Sequence, residues 1–279
     1  MTRKKSKKVI ALLTDFGIHD HYVGTMKGVI LSIAPDARIV DISHDVEPQN
    51  VLEAGYLLWA SYRYFPSGTI FVSVVDPGVG SSRRIIAIQT EHYTFIAPEN
   101  GLLDYIISEE EIKDAVRIDS RSPSAIQKFF WNTPSGLTQI SSTFHGRDVF
   151  APLAAHLSCG VSLKELGAPA TLKIAKSIFT APDSSTDQAR VIHVDHFGNL
   201  ITSIRADDKQ KSFDKTFCII GRKRIARWIH FYNEAPSNTP CLIVGSSGLI
   251  EIVVRGKSAA RLLSAHAGMN IHFRKNTSR

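Results

Sequence analysis

The sequence predicts an α/β amino-terminal domain followed by a smaller antiparallel β-barrel-like domain. In the first half, short apolar runs typical of buried strands alternate with segments of helical periodicity. Strands with so few polar positions are covered on both faces, which indicates an α/β/α layered domain around a mostly parallel sheet. In the second half, short β-rich pieces are separated by glycine-containing turns, as in compact antiparallel domains.

The first elements follow from the apolar pattern and its stops. Val9–Leu13 is a continuous apolar run, and we expect a buried strand that ends at Thr14. The next segment, Tyr22–Ala34, has apolar residues at helical spacing, and Pro35 stops it. Arg38–Ile42 is then predicted to be a second strand.

A second helix and three further strands complete the predicted α/β domain. Asn50 is followed three residues later by Glu53, a pattern that resembles a capping box and predicts a helix through Tyr64. The strands predicted after it are Thr69–Val75, Ile85–Gln89 and Tyr93–Ala97.

The carboxy-terminal half divides into a connection and a β domain. The chain is rich in Ser, Ala, Pro and Asp between residues 160 and 188, as expected of a linker. We therefore predict an α/β domain over residues 9–160, a linker over 161–188 and a β domain over 189–275. The predicted strands of the β domain are Arg190–Val194, Leu200–Ile204, Phe217–Ile220, Cys241–Val244 and Leu249–Val254.

Charge and cysteine content narrow the classes of function. The net charge is +7, but eight basic residues lie in the two eight-residue tails, which contain no acid, so the body is nearly neutral. A basic tail suits RNA or lipid headgroups, but a solvated tail is the simpler interpretation, and we expect neither nucleic-acid nor membrane binding. Three cysteines without CxxC spacing, and an apolar start too short for a signal peptide, predict a cytoplasmic protein.

Acidic residues follow several predicted strands. Asp15, Asp76 and Glu99 each come directly after or close to a strand end. A single acid there is usually a turn or helix cap, but several at one edge of an α/β sheet favour a ligand site. Carboxylates at such an edge suit the hydroxyls of a ribose, because each can accept several hydrogen bonds.

Two further residues make the Asp76 segment a candidate for chemistry. Gly78 and Gly80 let a ligand approach the backbone, although the segment has neither the P-loop lysine nor the dinucleotide fingerprint. Arg83 could form a fixed ion pair with Asp76, or it could be a surface arginine that starts a strand. His145 precedes a helix-like stretch and is a second candidate, although a lone histidine is more often structural. No HxxxH or HExxH pair is present, so we predict no metal site.

One motif of the β domain also has two interpretations. Residues 195–199 join two predicted strands, and the simpler interpretation is a hairpin with Gly198-Asn199 at its tip. The functional alternative is an aromatic ring, Phe197, presented together with the Asn199 amide to an adenine ring.

Taken in order, these motifs resemble the S-adenosyl-L-methionine hydroxide adenosyltransferases. The resemblance is dense over residues 9–160 and thinner beyond. The segments that carry it are Leu13–Gly17, Asp20–Gly28, Ile39–His44, Val75–Gly80, Ala97–Leu103, Thr143–Asp148, Asp195–Leu200 and Ser246–Ile252.

The resemblance implies cofactor-free hydrolysis of S-adenosyl-L-methionine to adenosine and L-methionine. Water attacks ribose C5′, and Asp76, Arg83 and His145 match the family's group that positions and activates this water. Related halogenases use a halide ion and lack the aspartate-containing segment, so its presence favours water. A nucleoside-binding protein with little turnover and a halide-using adenosyl transferase stay open as alternatives.

The resemblance also assigns substrate contacts and an assembly. It implies that Asp15 holds the ribose hydroxyls, that Phe197 and Asn199 meet the adenine, and that the chain forms a homotrimer whose sites combine the amino-terminal domain of one subunit with the carboxy-terminal domain of its neighbour. The further residues expected near the methionine or adenine are Asp195, Ser246, Glu251 and Val253, the last through its backbone.

The sequence departs from the family pattern at several positions. Glu99 stands where many relatives have Asp, and Gly245 replaces the Asn that commonly precedes Ser246. The pair Thr202-Ser203 replaces a common Thr-Asn pair. Residues 129–140 are longer and more polar than usual, and we expect a flap over the site there.

Overall fold

The computed structural model describes residues 8–119, 140–172, 179, 189–206 and 216–275. The chain divides into two compact units, Met1–Lys176 and Ser177–Arg279. The predicted flap at residues 129–140 lies outside the described residues except for Ile140.

The first unit alternates strands and helices. Its strands are β1 (Val9–Thr14), β2 (Arg38–Ser43), β3 (Ile70–Val74), β4 (Ile85–Gln89), β5 (Thr94–Pro98), β6 (Asp114–Ile118) and β7 (Ala168–Pro169). Its helices are α1 (Tyr22–Ile33), α2 (Val51–Ser61), α3 (Asp104–Ile107) and α4 (Ala151–Ser158).

These strands form one sheet in the order β2-β1-β3-β5-β4-β6-β7. The β2, β1, β3 and β5 strands pair in parallel, while β4 pairs antiparallel with both β5 and β6. Five of the seven strands therefore run in one direction, which confirms the prediction of a mostly parallel sheet. The β4 strand reverses because only residues 90–93 connect it to β5, and parallel neighbours need a much longer crossover.

The sheet is covered on both faces, as predicted. On one face, alternate residues of β1 such as Ile10 and Leu12 pack in a core with Met26 of α1 and Leu153 of α4. On the other face, Phe71 stacks on Phe95 with ring centroids 5.0 Å apart, and the ring of Tyr62, just after α2, meets both at an edge. This alternation is the period of two expected of strands buried on both sides.

The α2 helix begins where its capping residue predicts. Asn50 Oδ1 accepts a hydrogen bond from Glu53 N at 3.1 Å, and the helix ends at Ser61 with a 3₁₀ turn through Tyr64. The reciprocal half of the capping box differs, since the Glu53 carboxylate accepts from Glu47 N at 2.9 Å. The side chain thus ties the preceding loop to the helix.

The start of the predicted linker belongs to the first unit. Leu163–Glu165 forms a 3₁₀ turn, and β7 pairs antiparallel with β6. The pairing needs a glycine beside it, because a Cβ atom on Gly167 would lie 2.3 Å from the Arg117 carbonyl oxygen.

The second unit is antiparallel, as predicted. Its described strands form a sheet in the order β12-β13-β9-β8 and a second one in the order β11-β10-β14; within these residues the pairings close no barrel. The strands are β8 (Val191–Val194), β9 (Leu200–Arg205), β10 (Thr216–Ile220), β11 (Lys223–Ile225), β12 (Cys241–Val244), β13 (Leu249–Val253) and β14 (Ile271–Lys275), and the helix is α5 (Ala259–Leu263). No helix in the described part of either unit is long and apolar enough to span a membrane.

Two glycine-to-alanine substitutions test the packing of β7. We expect Gly167→Ala to lower the free energy of unfolding by about 1–3 kcal/mol, because the added methyl group overlaps backbone. Gly28→Ala is the matched control, since Gly28 is exposed within α1 with nothing near its Cβ position, and we expect it to stabilise by up to about 1 kcal/mol. Urea unfolding measures both; equal stability of the two variants would contradict the pairing.

Candidate active site

The loop after β3 is closely packed on both sides. Asn100 Nδ2 donates to the Val75 carbonyl oxygen at 2.9 Å, which fixes the end of the strand just before Asp76. Gly80 has φ +76, and a Cβ atom there would lie 2.3 Å from the Ser142 carbonyl oxygen. Only glycine allows this approach, and it brings the loop against the segment that leads to His145.

Asp76, Arg83 and His145 form one buried hydrogen-bonded cluster. Arg83 Nε donates to Asp76 Oδ1 at 2.8 Å, and Arg83 Nη2 donates to Asp76 Oδ2. The same Nη2 lies 2.9 Å from His145 Nδ1. The side chains of Asp76 and Arg83 are only 5% and 10% exposed, and His145 is buried too. The structure thus brings the three predicted residues together.

The geometry assigns the proton of His145. A guanidinium group has only donors, so His145 Nδ1 accepts from Arg83, and a neutral ring then carries its hydrogen on Nε2. Burial lowers the pKa of His145 below its ordinary value of 6.5, and the charge of Arg83 lowers it further, while Asp76 acts in the opposite direction. We therefore infer that the ring is neutral at physiological pH.

Two neighbouring features pack against the cluster. A π-helical turn, Gly146–Phe150, begins directly after His145 and continues into α4, and turns of this kind occur frequently at functional sites. The Phe150 ring lies beneath the Arg83 guanidinium, 5.6 Å from ring centroid to Cζ. Arg83 Nη1 is buried and has no hydrogen-bond partner among the described residues, which leaves its two N–H donors unused.

The other strand-end acids differ in their partners. Asp15 follows β1, whose last residue Thr14 is in register with Val74 of β3, so Asp15 and Asp76 lie at the same edge of the sheet. Asp15 Oδ2 accepts from Gln49 N at 2.8 Å. Glu99 instead forms an ion pair with Arg117 of β6 at 2.7 Å, an engagement that the sequence alone did not predict.

In the second unit, residues 195–199 form the predicted hairpin between β8 and β9. Asp195 Oδ1 accepts from Asn199 N at 2.8 Å, and Asp195 Oδ2 accepts from Asn199 Nδ2 at 2.9 Å. The Asn199 amide therefore has a fixed orientation. The Phe197 ring is 75% exposed beside it, and both line a pocket of roughly 1350 Å³. The hairpin and the functional interpretations are thus compatible.

Glu251 is buried on β13 beside this hairpin. Burial raises its pKa to about 7 together with the charge of Asp195, while a hydrogen bond from Tyr232 acts in the opposite direction. A Cβ atom on Gly245 would lie 1.7 Å from Glu251 Oε1, so the glycine in place of the family's usual Asn leaves room for the carboxyl group. Sequence reasoning missed Tyr232, because no motif marks the segment around it.

The two remaining predicted contacts lie on and beside the same strand. Ser246 is exposed in the turn between β12 and β13. Val253 is fully buried, and its side chain packs in a small apolar cluster with Ile229 and Cys241. Only its backbone is left for the expected contact. Among the described residues, no group of three His, Cys, Asp or Glu side chains is arranged to hold a metal ion.

Comparison with known protein families matches each of the two units to a domain of one family. Residues 10–167 match the SAM hydroxide adenosyltransferase N-terminal domain, and residues 189–272 match the C-terminal domain of the same family. The chain belongs to this family.

The similar proteins include both hydrolases and halogenases. The chain is 34% identical to an (R)-S-adenosyl-L-methionine hydrolase of Methanocaldococcus jannaschii, with 92% of each chain covered. It is 30% identical to a fluorinase of Nocardia brasiliensis over 75% of each chain. An uncharacterized conserved protein from Thermotoga maritima has a similar solved structure, with a TM-score of 0.81 and 34% identity over 95% of this chain and 100% of its own.

The raised pKa of Glu251 predicts a pH-dependent effect of Glu251→Gln. The folded-state pKa of about 7 lies above the ordinary 4.5, so the wild-type protein loses stability as pH rises through this interval. The Gln variant has no such loss. We expect its Tm to exceed that of the wild type at about pH 8.5, and the difference to shrink or vanish at about pH 5. Thermal unfolding at both values measures this, with Glu91→Gln, at an exposed position, as control; a pH-independent difference would contradict the assignment.

Proposed function

We propose that this chain hydrolyses S-adenosyl-L-methionine to adenosine and L-methionine by attack of water on ribose C5′. The observation that supports this most is the buried Asp76–Arg83–His145 cluster at the sheet edge, found in a member of the SAM hydroxide adenosyltransferase family. Relatives at 31–34% identity over most of the chain are named as hydrolases of this substrate.

The chemistry needs an oriented water molecule and an acceptor for its proton. The leaving group is a sulfonium that departs as a neutral thioether, so it needs neither a general acid nor a metal ion. Positioning and deprotonation of the water are what the protein supplies. We therefore propose a metal-independent and cofactor-free reaction.

The three side chains suit these two tasks differently. In the neutral tautomer His145 offers an Nε2–H donor, and Arg83 offers its unused Nη1 donors. The Asp76 oxygens accept from Arg83 and keep further lone pairs, since each carboxylate oxygen can accept two hydrogen bonds. In the proposal His145 and Arg83 orient the water, and Asp76 accepts its proton.

The following residues are proposed to contact the substrate. Asp15 holds the ribose hydroxyls, and Phe197 stacks on the adenine while Asn199 hydrogen-bonds it, in keeping with the exposed ring and the fixed amide. The methionine portion is assigned to further residues of the second unit, namely Asp195, Ser246, Glu251 and the Val253 backbone. We also propose that the chain is cytoplasmic and that it acts as a homotrimer. Light scattering of the purified protein tests the trimer.

Product analysis decides between this function and its alternatives. The purified protein is incubated with the resolved (R) and (S) sulfonium isomers in EDTA, because the relatives' names specify the (R) form. Chromatography should show adenosine and methionine in equal amounts. Tight adenosine binding without product would favour a nucleoside-binding protein, and a 5′-halo-adenosine in chloride or fluoride buffer would favour halide transfer.

Substitutions in the cluster should remove activity, and far-UV circular dichroism of each variant separates this loss from unfolding. We expect Asp76→Asn and His145→Ala each to lower kcat by a factor of about 10²–10⁴, the usual range for lost acid–base and orienting groups. Arg83→Lys should also be impaired, because an ammonium group cannot bond both partners in the same fork. Asp114→Asn is the matched control, since Asp114 starts β6 outside the cluster. Full activity of the Asp76 and His145 variants would contradict the mechanism.

The pH dependence of kcat/KM should report on His145. A protonated ring would turn an Nδ1–H toward the Arg83 guanidinium and break the cluster. Because the pKa of His145 is lowered, we expect activity to persist to lower pH than an ordinary histidine allows and to fall only below 6.5. An acid limb with an apparent pKa above this value would contradict the assignment of the neutral ring.

A further inference from the structure

A second buried polar network lies at the end of β1, outside the cluster described above. Thr14 Oγ1 is 2.8 Å from His44 Nδ1, and His44 Nε2 is 3.1 Å from Asp41 Oδ1. The Asp41 carboxylate also accepts from Lys27 Nζ of α1 at 2.6 Å. Thr14 is fully buried and His44 is 5% exposed, so this network reaches from the solvent-facing side of β2 into the core.

The direction of these hydrogen bonds follows from the charges. Burial alone would raise the pKa of Asp41, but hydrogen bonds from Lys27 and His44 outweigh it and keep the pKa below its ordinary value. A neutral His44 ring therefore carries its hydrogen on Nε2, toward the carboxylate, although the N–H direction there departs from an ideal hydrogen bond. His44 Nδ1 then accepts from the Thr14 hydroxyl.

The network acts on the turn that carries Asp15. Thr14 Oγ1 also accepts from Phe16 N at 3.3 Å, and Gly17 N donates to the His44 carbonyl oxygen at 2.8 Å. From the other side, Gln49 N donates to Asp15 Oδ2, and Gln49 adopts the left-handed backbone conformation at φ 68. The turn is thus fixed by the segment that follows β2, both through backbone and through the His44 side chain.

A merely structural role explains this arrangement poorly. A buried hydroxyl and a buried imidazole stabilise a core less than apolar side chains of the same size would, because both must be desolvated. The β1–β2 register also shifts between Leu12 and Leu13, which pair with Asp41 and Ser43, and this irregularity brings His44 level with Thr14. These costs are concentrated directly before Asp15, the residue that follows Thr14.

We propose that His44 is a positioning residue for the hydrolysis, which acts through Thr14 and with Asp41 to orient the Asp15 carboxylate toward the ribose hydroxyls. This rests on the proposed function of Asp15. The network touches no reacting atom, so its loss should weaken substrate binding more than it slows the chemical step.

Steady-state kinetics of paired variants tests the proposal. Thr14→Val keeps the shape and removes the hydroxyl, and we expect kcat/KM to fall about tenfold, mainly through KM, as for the loss of one buried hydrogen bond. Thr14→Ser should stay within about twofold of wild type because it restores the hydroxyl. His44→Ala should resemble Thr14→Val. Asp41→Asn changes a partly exposed residue and should lower kcat/KM by a smaller factor, again mainly through KM. This variant tests the network if the Thr14 and His44 variants fail to fold.

Two controls separate positioning from general damage. Thr90 is another buried strand-end threonine whose hydroxyl accepts from backbone, but it lies at the opposite edge of the sheet, so Thr90→Val should lose stability without a change in KM. In an Asp15→Ala background, Thr14→Val should cause no further loss of kcat/KM.

The outcomes distinguish this inference from the proposed function. Unchanged kcat/KM in Thr14→Val, or a loss of equal size in the Asp15→Ala background, would overturn the positioning role. If Asp15→Ala itself keeps full kcat/KM, the proposed ribose contact is wrong, and the inference falls with it. An impaired Asp15→Ala with a normal Thr14→Val overturns the inference alone.

Discussion

The Arg83 guanidinium is the group on which the candidate site depends. It bonds both oxygens of Asp76, 7 residues before it in sequence, and the Nδ1 atom of His145, 62 residues after it. An uncompensated charge at this depth would cost several kcal/mol, so the arginine requires its carboxylate as much as the carboxylate requires it. The His145 imidazole adds a neutral acceptor for the second N–H of Arg83 Nη2, which would otherwise have no hydrogen-bond partner. One fork-shaped cation thereby fixes the position of an acid and the tautomer of a histidine.

The fold supplies the close approach that this interaction needs. Parallel pairing of β1 with β3 places Asp15 and Asp76 at one edge of the sheet. Gly80 then lets the Asp76 loop reach the backbone of Ser142, three residues before His145. Any side chain at Gly80 would push the two segments apart and lengthen the contact to the imidazole. The geometry of the cluster is therefore decided by backbone packing as well as by its own side chains.

The difference between local patterns and contacts of distant segments explains what could be predicted from the sequence. The strand alternation and the seven-residue interval between Asp76 and Arg83 are local. The alternation predicted the sheet, and the interval offered the ion pair as one of two interpretations of Arg83. The bond to His145 depends on a distant approach through Gly80, and only family resemblance suggested it. Tyr232 was missed for a related reason, because its contact with Glu251 joins a motif-free loop to a strand.

The acids that we propose to contact the substrate or its water share one physical constraint, which is compensation of their charge. Asp76 is compensated by Arg83, Asp15 accepts a backbone N–H, and Glu251 has a pKa that burial raises to about 7, so its carboxyl group is only partly ionised near neutral pH. For the proposed substrate this matters, since the sulfonium loses its positive charge as it becomes a neutral thioether, and the charge leaves with the proton of the attacking water. Fully ionised, unpaired acids would stabilise the substrate cation more than the transition state and so slow the reaction. Compensated acids can still orient hydroxyls and water without holding the sulfonium too tightly.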